Sequence, residues 1–246
     1  PGDGEAMVHW TRQELSRLRP LLEARRERGL IRECHGDLHL GNMALHGKRI
    51  LVFDCLEFSP PLRWIDPISD LAFLVMDLQE RDHGDLAMRL LNRWLDTGGD
   101  HGALPLLPWY LAYRALVRAK VTALRLQQSD LAPGAVPALE AALASYLNQA
   151  RRAMAPARCA LVITHGISGS GKSHAARLLR SWGWIQLRSD VERLRLHGRW
   201  GCASPEPGSE GGRQEANPYA PAVTDRLYGE VLLQAADAAL AGGLSV

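Results

Sequence analysis

The chain has 246 residues, 46% of them hydrophobic and 23% charged. That is enough apolar material for a folded core, and it excludes global disorder. The 29 Lys and Arg against 27 Asp and Glu leave a net charge of +2, which excludes a uniformly basic nucleic-acid coat.

At roughly 150 residues per domain, the length fits one large domain or two modest ones. No stretch approaches the ~18 consecutive apolar residues of a spanning helix, so no membrane contact is expected. The acidic start Pro1–Glu5 precedes no signal-peptide core. Cys34, Cys55, Cys159 and Cys202 form no Cys-x-x-Cys pair, which predicts reduced thiols and a cytoplasmic protein.

In chain order, Leu15, Leu18, Leu21 and Leu22 recur at helical spacing, and a helix is predicted over residues 11–29, stopped by Gly29. The glycines of Cys34–Asn42 mark a loop. Met43–Leu45 and Ile50–Phe53 flank His46-Gly47-Lys48-Arg49 as a hairpin. From Asp66 to about Gln149 the sequence is mainly helical, with breaks at Thr97-Gly98-Gly99 and Leu131–Gly134. Periodicity lapses between Arg151 and Arg158, where the domain boundary is placed. Cys159–Thr164 then reads as a buried strand, followed by a glycine-rich turn and a helix from Ser173 to about Trp182. A second strand is predicted at Trp184–Leu187, a loop at Gly201–Pro218 and a last helix at Pro221–Ala241, ended by Gly242-Gly243.

Two segments carry chemistry. Gly166-Ile167-Ser168-Gly169-Ser170-Gly171-Lys172-Ser173 fits Gly-x-x-x-x-Gly-Lys-Ser/Thr, of which chance supplies on the order of 0.01 copies in such a chain. Its glycines let backbone N–H groups turn inward on phosphate oxygens, and the following helix adds its positive end. Lys172 is expected on the β- and γ-phosphates of ATP and Ser173 on Mg²⁺. In the other segment His35-Gly36-Asp37 is followed by Asn42, and Asp54 closes an apolar run. This is the layout of a kinase-like catalytic loop. Asp37 is expected to orient the attacking hydroxyl, and Asn42 and Asp54 to grip Mg²⁺. Arg114, Arg118 and Arg125 share a helix face, read either as solvated or as a seat for an anionic group. The tryptophans, Trp182 among them, read as core or rim packing.

Residues 31–120 resemble the aminoglycoside phosphotransferase family through His35-Gly36-Asp37, Asn42 and Asp66-Pro67-Ile68-Ser69-Asp70. In that resemblance Asp66 and Asp70 cap the next helix and steady the loop. The order of a phosphotransferase-like lobe and then a P-loop domain is similar to a bacterial two-part family described as bifunctional aminoglycoside phosphotransferase/ATP-binding proteins. Phe53–Phe58, Arg63–Asp66 and Tyr113–Lys120 carry that likeness. It implies a multi-domain fold: a mainly helical kinase-like C-lobe over residues 1–152, a linker at 153–158, and an α/β P-loop domain with a parallel sheet over 159–246, truncated at its end. It places Asp190 near an acceptor hydroxyl, although Ser189 or Asp190 as a helix N-cap fits the same pattern.

The implied function is ATP- and Mg²⁺-dependent phosphoryl transfer to a small hydroxylated molecule. A nucleotide-sensing module or an ATPase derived from a kinase is the alternative. The family's N-lobe lysine has no counterpart before Asp37, the first lysine being Lys48. A fragment is therefore expected, slow or inactive alone.

Overall fold

The computed structural model describes residues 3–132, 134–167, 169–198 and 217–246. Ser168 and almost all of the expected 201–218 loop lie outside them, as do Trp200 and Cys202. Among the described residues no helix is long and apolar enough to cross a membrane.

The chain divides into two compact units, Pro1–Ala87 with Leu106–Pro156, and Met88–Pro105 with Ala157–Val246. In the first, helix α1 (Asp3–Glu27) begins earlier than its apolar spacing suggests. Strand β1 (Arg32–Glu33) pairs antiparallel with β4 (Trp64–Ile65), Arg32 opposite Ile65. Between them lie strands β2 (Met43–His46) and β3 (Arg49–Val52) and helix α2 (Pro60–Arg63). The β2–β3 hairpin turns on Gly47 and Lys48, with Met43 opposite Val52 and His46 opposite Arg49. Gly47 has φ 61°, a left-handed value that suits a two-residue turn.

Helix α3 (Pro67–Glu80) starts where Asp66 accepts the Ile68 N–H and Pro67 fills the first position, a start at which proline loses no helical hydrogen bond. It packs with α5 (Leu107–Leu126) and α6 (Ala135–Met154). Phe73, Met76, Ala115, Ala119, Tyr146 and Ala150 are buried where the three meet. Alanines on α5 and α6 let the axes approach closely, and Phe73 fills the space they leave.

Helix α4 (Gly84–Gly98) belongs to the second unit from Met88 onward. That unit continues with α7 (Lys172–Ser181), α8 (Ser189–Leu196) and α9 (Pro221–Arg226). A wider π turn, Leu227–Leu232, leads into α10 (Leu233–Ala241). The last helix therefore runs unbroken from Pro221 to Ala241, as its sequence predicts.

The expected parallel sheet is not among the elements assigned in the described residues. Among the described residues the assigned sheets are the two small antiparallel pairs. Residues 159–164 and 184–187 are extended segments without a regular ladder. They meet Ser245 and Val246 through backbone bonds from Val162 N–H to Val246 O (2.8 Å), Val246 N–H to Ala160 O (2.9 Å) and Ile185 N–H to Ser245 O (2.8 Å), and through Ala160 N–H to Ser245 Oγ (3.2 Å). Nor is the first segment buried, Ile163 being 81% exposed. Trp182 is likewise exposed rather than packed.

Buried Asn92 of α4 takes the place of a strand neighbour for the second segment. Its amide donates to Trp184 O at 2.9 Å and accepts from Gln186 N–H at 2.9 Å.

Candidate active site

The loop from His35 to Asn42 is held by α3. His35 N–H donates to Asp70 Oδ2 at 2.7 Å and Gly36 N–H to the same carboxylate at 3.1 Å. Leu40 N–H donates to Asp77 Oδ2 at 2.9 Å. Asp70 lies in the first turn of α3, where a carboxylate also meets the positive end of the helix. Asp66 caps that helix and forms a buried two-point pair with Arg25 at 2.6 and 2.9 Å. The expected structural roles of Asp66 and Asp70 are thus both present.

Arg114 corrects the expectation of a solvated basic face. It is buried and donates to Gly36 O (2.9 Å), Ser69 O (3.1 Å) and Ser69 Oγ (3.0 Å). Burial lowers its pKa below the ordinary arginine value, against the attraction of Asp70. Its guanidinium lies 4.8 Å from the centre of the Phe73 ring, a cation–π contact. Arg118 reaches the Tyr146 hydroxyl at 3.4 Å, and Arg125 pairs with Asp130.

Within the loop, Asn42 donates from Nδ2 to Asp37 O at 3.0 Å and to Asp37 Oδ2 at 3.1 Å. The five-residue spacing therefore brings the two side chains into contact. His39, and less strongly Asn42, hold the Asp37 carboxyl below its usual range, against burial that raises it. Gly36 (φ 85°) approaches the backbone of Leu62, and a Cβ there would stand 2.7 Å from Leu62 O, so only glycine fits.

Asp54 reaches the same neighbourhood through the hairpin. Phe53 N–H donates to Asn42 O at 3.1 Å, and His35 Nε2 lies 2.8 Å from Phe53 O. Asp54 itself has φ 61°. That left-handed conformation costs a non-glycine residue roughly 1–2 kcal/mol and is tolerated best by Asp and Asn.

The donors suit a hard cation. With Asn42 Nδ2 engaged by Asp37, the amide oxygen is its free end, and the second donor is a carboxylate on an exposed residue. Oxygen donors of this kind, few in number and completed by phosphate and water, are what Mg²⁺ takes. Among the described residues no cluster of three or more His, Cys, Asp or Glu is gathered for a metal.

In the second unit, Gly166 (φ 147°), Gly169 (φ 81°) and Gly171 (φ 86°) all take left-handed backbone, and Gly171 precedes the first turn of α7. A Cβ on Gly166 would stand 2.8 Å from Ser170 Oγ. The loop curls around Lys172, whose Nζ donates to Gly166 O (2.8 Å) and Ile167 O (2.6 Å). Lys172 and Ser173 open the helix, and their N–H groups precede any intrahelical acceptor. Asp190 is exposed in the first turn of α8. The expectation that Ser189 or Asp190 caps this helix is corrected: Arg188 stands at the cap, without a side-chain bond.

Sequence reasoning missed Asp77, Arg25 and Asn92, and it placed Arg114 on a basic face without its buried acceptors. An arginine in an otherwise apolar stretch of α5 was the one available signal, since such a residue must find acceptors when buried.

The phosphotransferase enzyme family model matches residues 4–107, and the AAA domain model matches residues 161–246. An uncharacterized protein of Mycobacterium bovis is 33% identical over 188 residues, covering 76% of this chain and 36% of its own length. Uncharacterized proteins of two Mycobacterium tuberculosis strains match with the same figures. The chain thus spans about a third of the length of these curated relatives. No solved structure matches it. In order along the sequence, the chain is similar first to a phosphotransferase and then to an AAA domain.

Proposed function

We propose that the protein is an ATP-dependent kinase of a small hydroxylated molecule, with a second nucleotide site on its P-loop segment. The kinase-like part is assigned to residues 1–152 and the P-loop part to 159–246, joined by 153–158. The observation that carries this reading is the bonding of Asp37 to Asn42 in a loop pinned to α3 by Asp70 and Asp77.

In this reading the acceptor oxygen attacks the γ-phosphorus, its bond to the β-bridging oxygen breaks, ADP leaves, and the hydroxyl proton passes to the Asp37 carboxylate. A loose transition state asks the protein chiefly for position and charge complementarity. Asn42 and Asp54 are assigned to Mg²⁺, which when bound neutralises phosphate charge. On the P-loop, phosphate oxygens compete with the Gly166 and Ile167 carbonyls for the Lys172 ammonium. Ser173 is assigned to Mg²⁺ there, and Asp190 faces an acceptor. The bonding of Val246 between Ala160 and Val162 follows the offset of a parallel ladder, which supports an α/β P-loop segment.

The test is phosphate transfer from ATP to a panel of small alcohols and sugars by the whole protein. Asp37→Asn is expected to lower transfer at least ~100-fold, the low end for a proton-handling group. Lys172→Ala is expected to weaken ATP binding at the P-loop. If neither change affects transfer and only nucleotide affinity falls, with Lys172→Ala, a nucleotide-sensing module replaces the kinase.

A further inference from the structure

His39 has no part in the chemistry assigned above, yet its side chain is buried and held at both ring nitrogens. It starts the tight turn Leu40–Asn42, and its Nδ1 accepts the Gly41 N–H at 3.0 Å. A ring nitrogen that accepts carries no proton, so the neutral imidazole holds its proton on Nε2. Nε2 lies 3.4 Å from Asp37 Oδ2. The residue is 9% exposed, and its ring packs on Phe73 with centroids 5.2 Å apart. Gly41 gives it room: a Cβ at 41 would stand 2.7 Å from Cε1 and 2.9 Å from Nδ1. Turning the ring over would remove both polar contacts at once.

Asp37 Oδ2 thus meets two donors, His39 Nε2 and Asn42 Nδ2. Among the described residues no hydrogen bond engages Oδ1. We propose that His39 is a positioning residue that, as its Nε2–H tautomer, holds Oδ2 of Asp37 jointly with Asn42 and so presents Oδ1 to the acceptor hydroxyl. This rests on the reading of Asp37 as the group that meets that hydroxyl. Contacts of this kind are long in the free enzyme and shorten in the reactant complex.

Two measurements test it. On this chain labelled with ¹⁵N, a long-range ¹H–¹⁵N spectrum reads the tautomer of His39, assigned by the signals lost in His39→Gln. The proton is expected on Nε2. A proton on Nδ1, or an even mixture, overturns the proposal. In the whole protein, His39→Leu is expected to lower kcat ~10–100-fold, as loss of a supporting contact does, with KM for ATP within about twofold. His39→Gln, whose amide N–H reaches the Nε2 position, is expected to recover most of the loss. A His39→Leu protein with wild-type kcat, or a His39→Gln protein no better than it, overturns the proposal if Asp37→Asn is inactive. An active Asp37→Asn protein overturns the reading of Asp37 itself, and this inference with it.

Discussion

Arg114 ties together three buried backbone and side-chain acceptors. Replacing it with leucine keeps the volume but leaves Gly36 O and the Ser69 groups without donors, and Asp70 without its nearest cation at 4.0 Å. Unpaired buried polar groups cost about 1–3 kcal/mol each. Arg114→Leu is therefore expected to lower stability by about 3 kcal/mol in urea unfolding, and a loss under ~1 kcal/mol would remove its role as a strut. At this scale the sequence was only half legible. The spacings Asp37–Asn42 and Gly166–Ser173 lie within single loops, so backbone geometry alone brings those residues together. Arg114 was placed with Arg118 and Arg125 by helical period, which says that they share a side but not what covers that side.

At the scale of elements, α8 and the end of α4 are joined by charge. Arg195 donates to the carbonyls of Leu95 (3.2 Å), Asp96 (3.0 Å) and Thr97 (3.2 Å) in the last turn of α4. Buried Glu192 holds Arg195 at 2.9 Å and faces His101 Nε2 at 4.0 Å. Burial lowers the pKa of His101 below its ordinary 6.5, outweighing the pull of Glu192, and Arg195 lowers it further while Asp100 raises it. With the folded value below the unfolded one, the unfolded chain binds the proton first. His101 therefore subtracts stability as pH falls from 6.5 toward the folded pKa. Thermal unfolding between pH 7.5 and 5.5 is expected to show the second unit losing stability over that window, with a shallower loss in His101→Gln. An unchanged slope in that variant would rule out His101 as the source.

For the molecule as a whole, the connection between units matters more than the apparent linker. Residues 88–105 belong with 157–246, so cutting at Pro156 does not separate two complete bodies. A piece containing only residues 157–246 loses Asn92, which serves Trp184 and Gln186, and Asp96, which pairs with Arg180 at 3.2 Å. It also loses the α4 carbonyls that hold Arg195. That piece is expected to show a low, non-cooperative melt by circular dichroism and rapid proteolysis. A cooperative transition matching that of the intact chain would contradict the assignment.

The amino-acid sequence by itself determined the two glycine-containing loops, the hairpin between Asn42 and Asp54, the helical run after Asp66 and the last helix. Each of these follows from turn chemistry or periodicity over a dozen residues or fewer, and short-range geometry needs no knowledge of the rest of the chain. Tertiary structure alone decided which distant side chains anchor those loops: Asp70 and Asp77 under His35–Leu40, Arg114 beneath Gly36, Asn92 beside Trp184. Pairings of this kind depend on which helix faces meet when apolar surface is buried, and an isolated polar residue reads the same in sequence whether it meets solvent or a carbonyl 2.9 Å away.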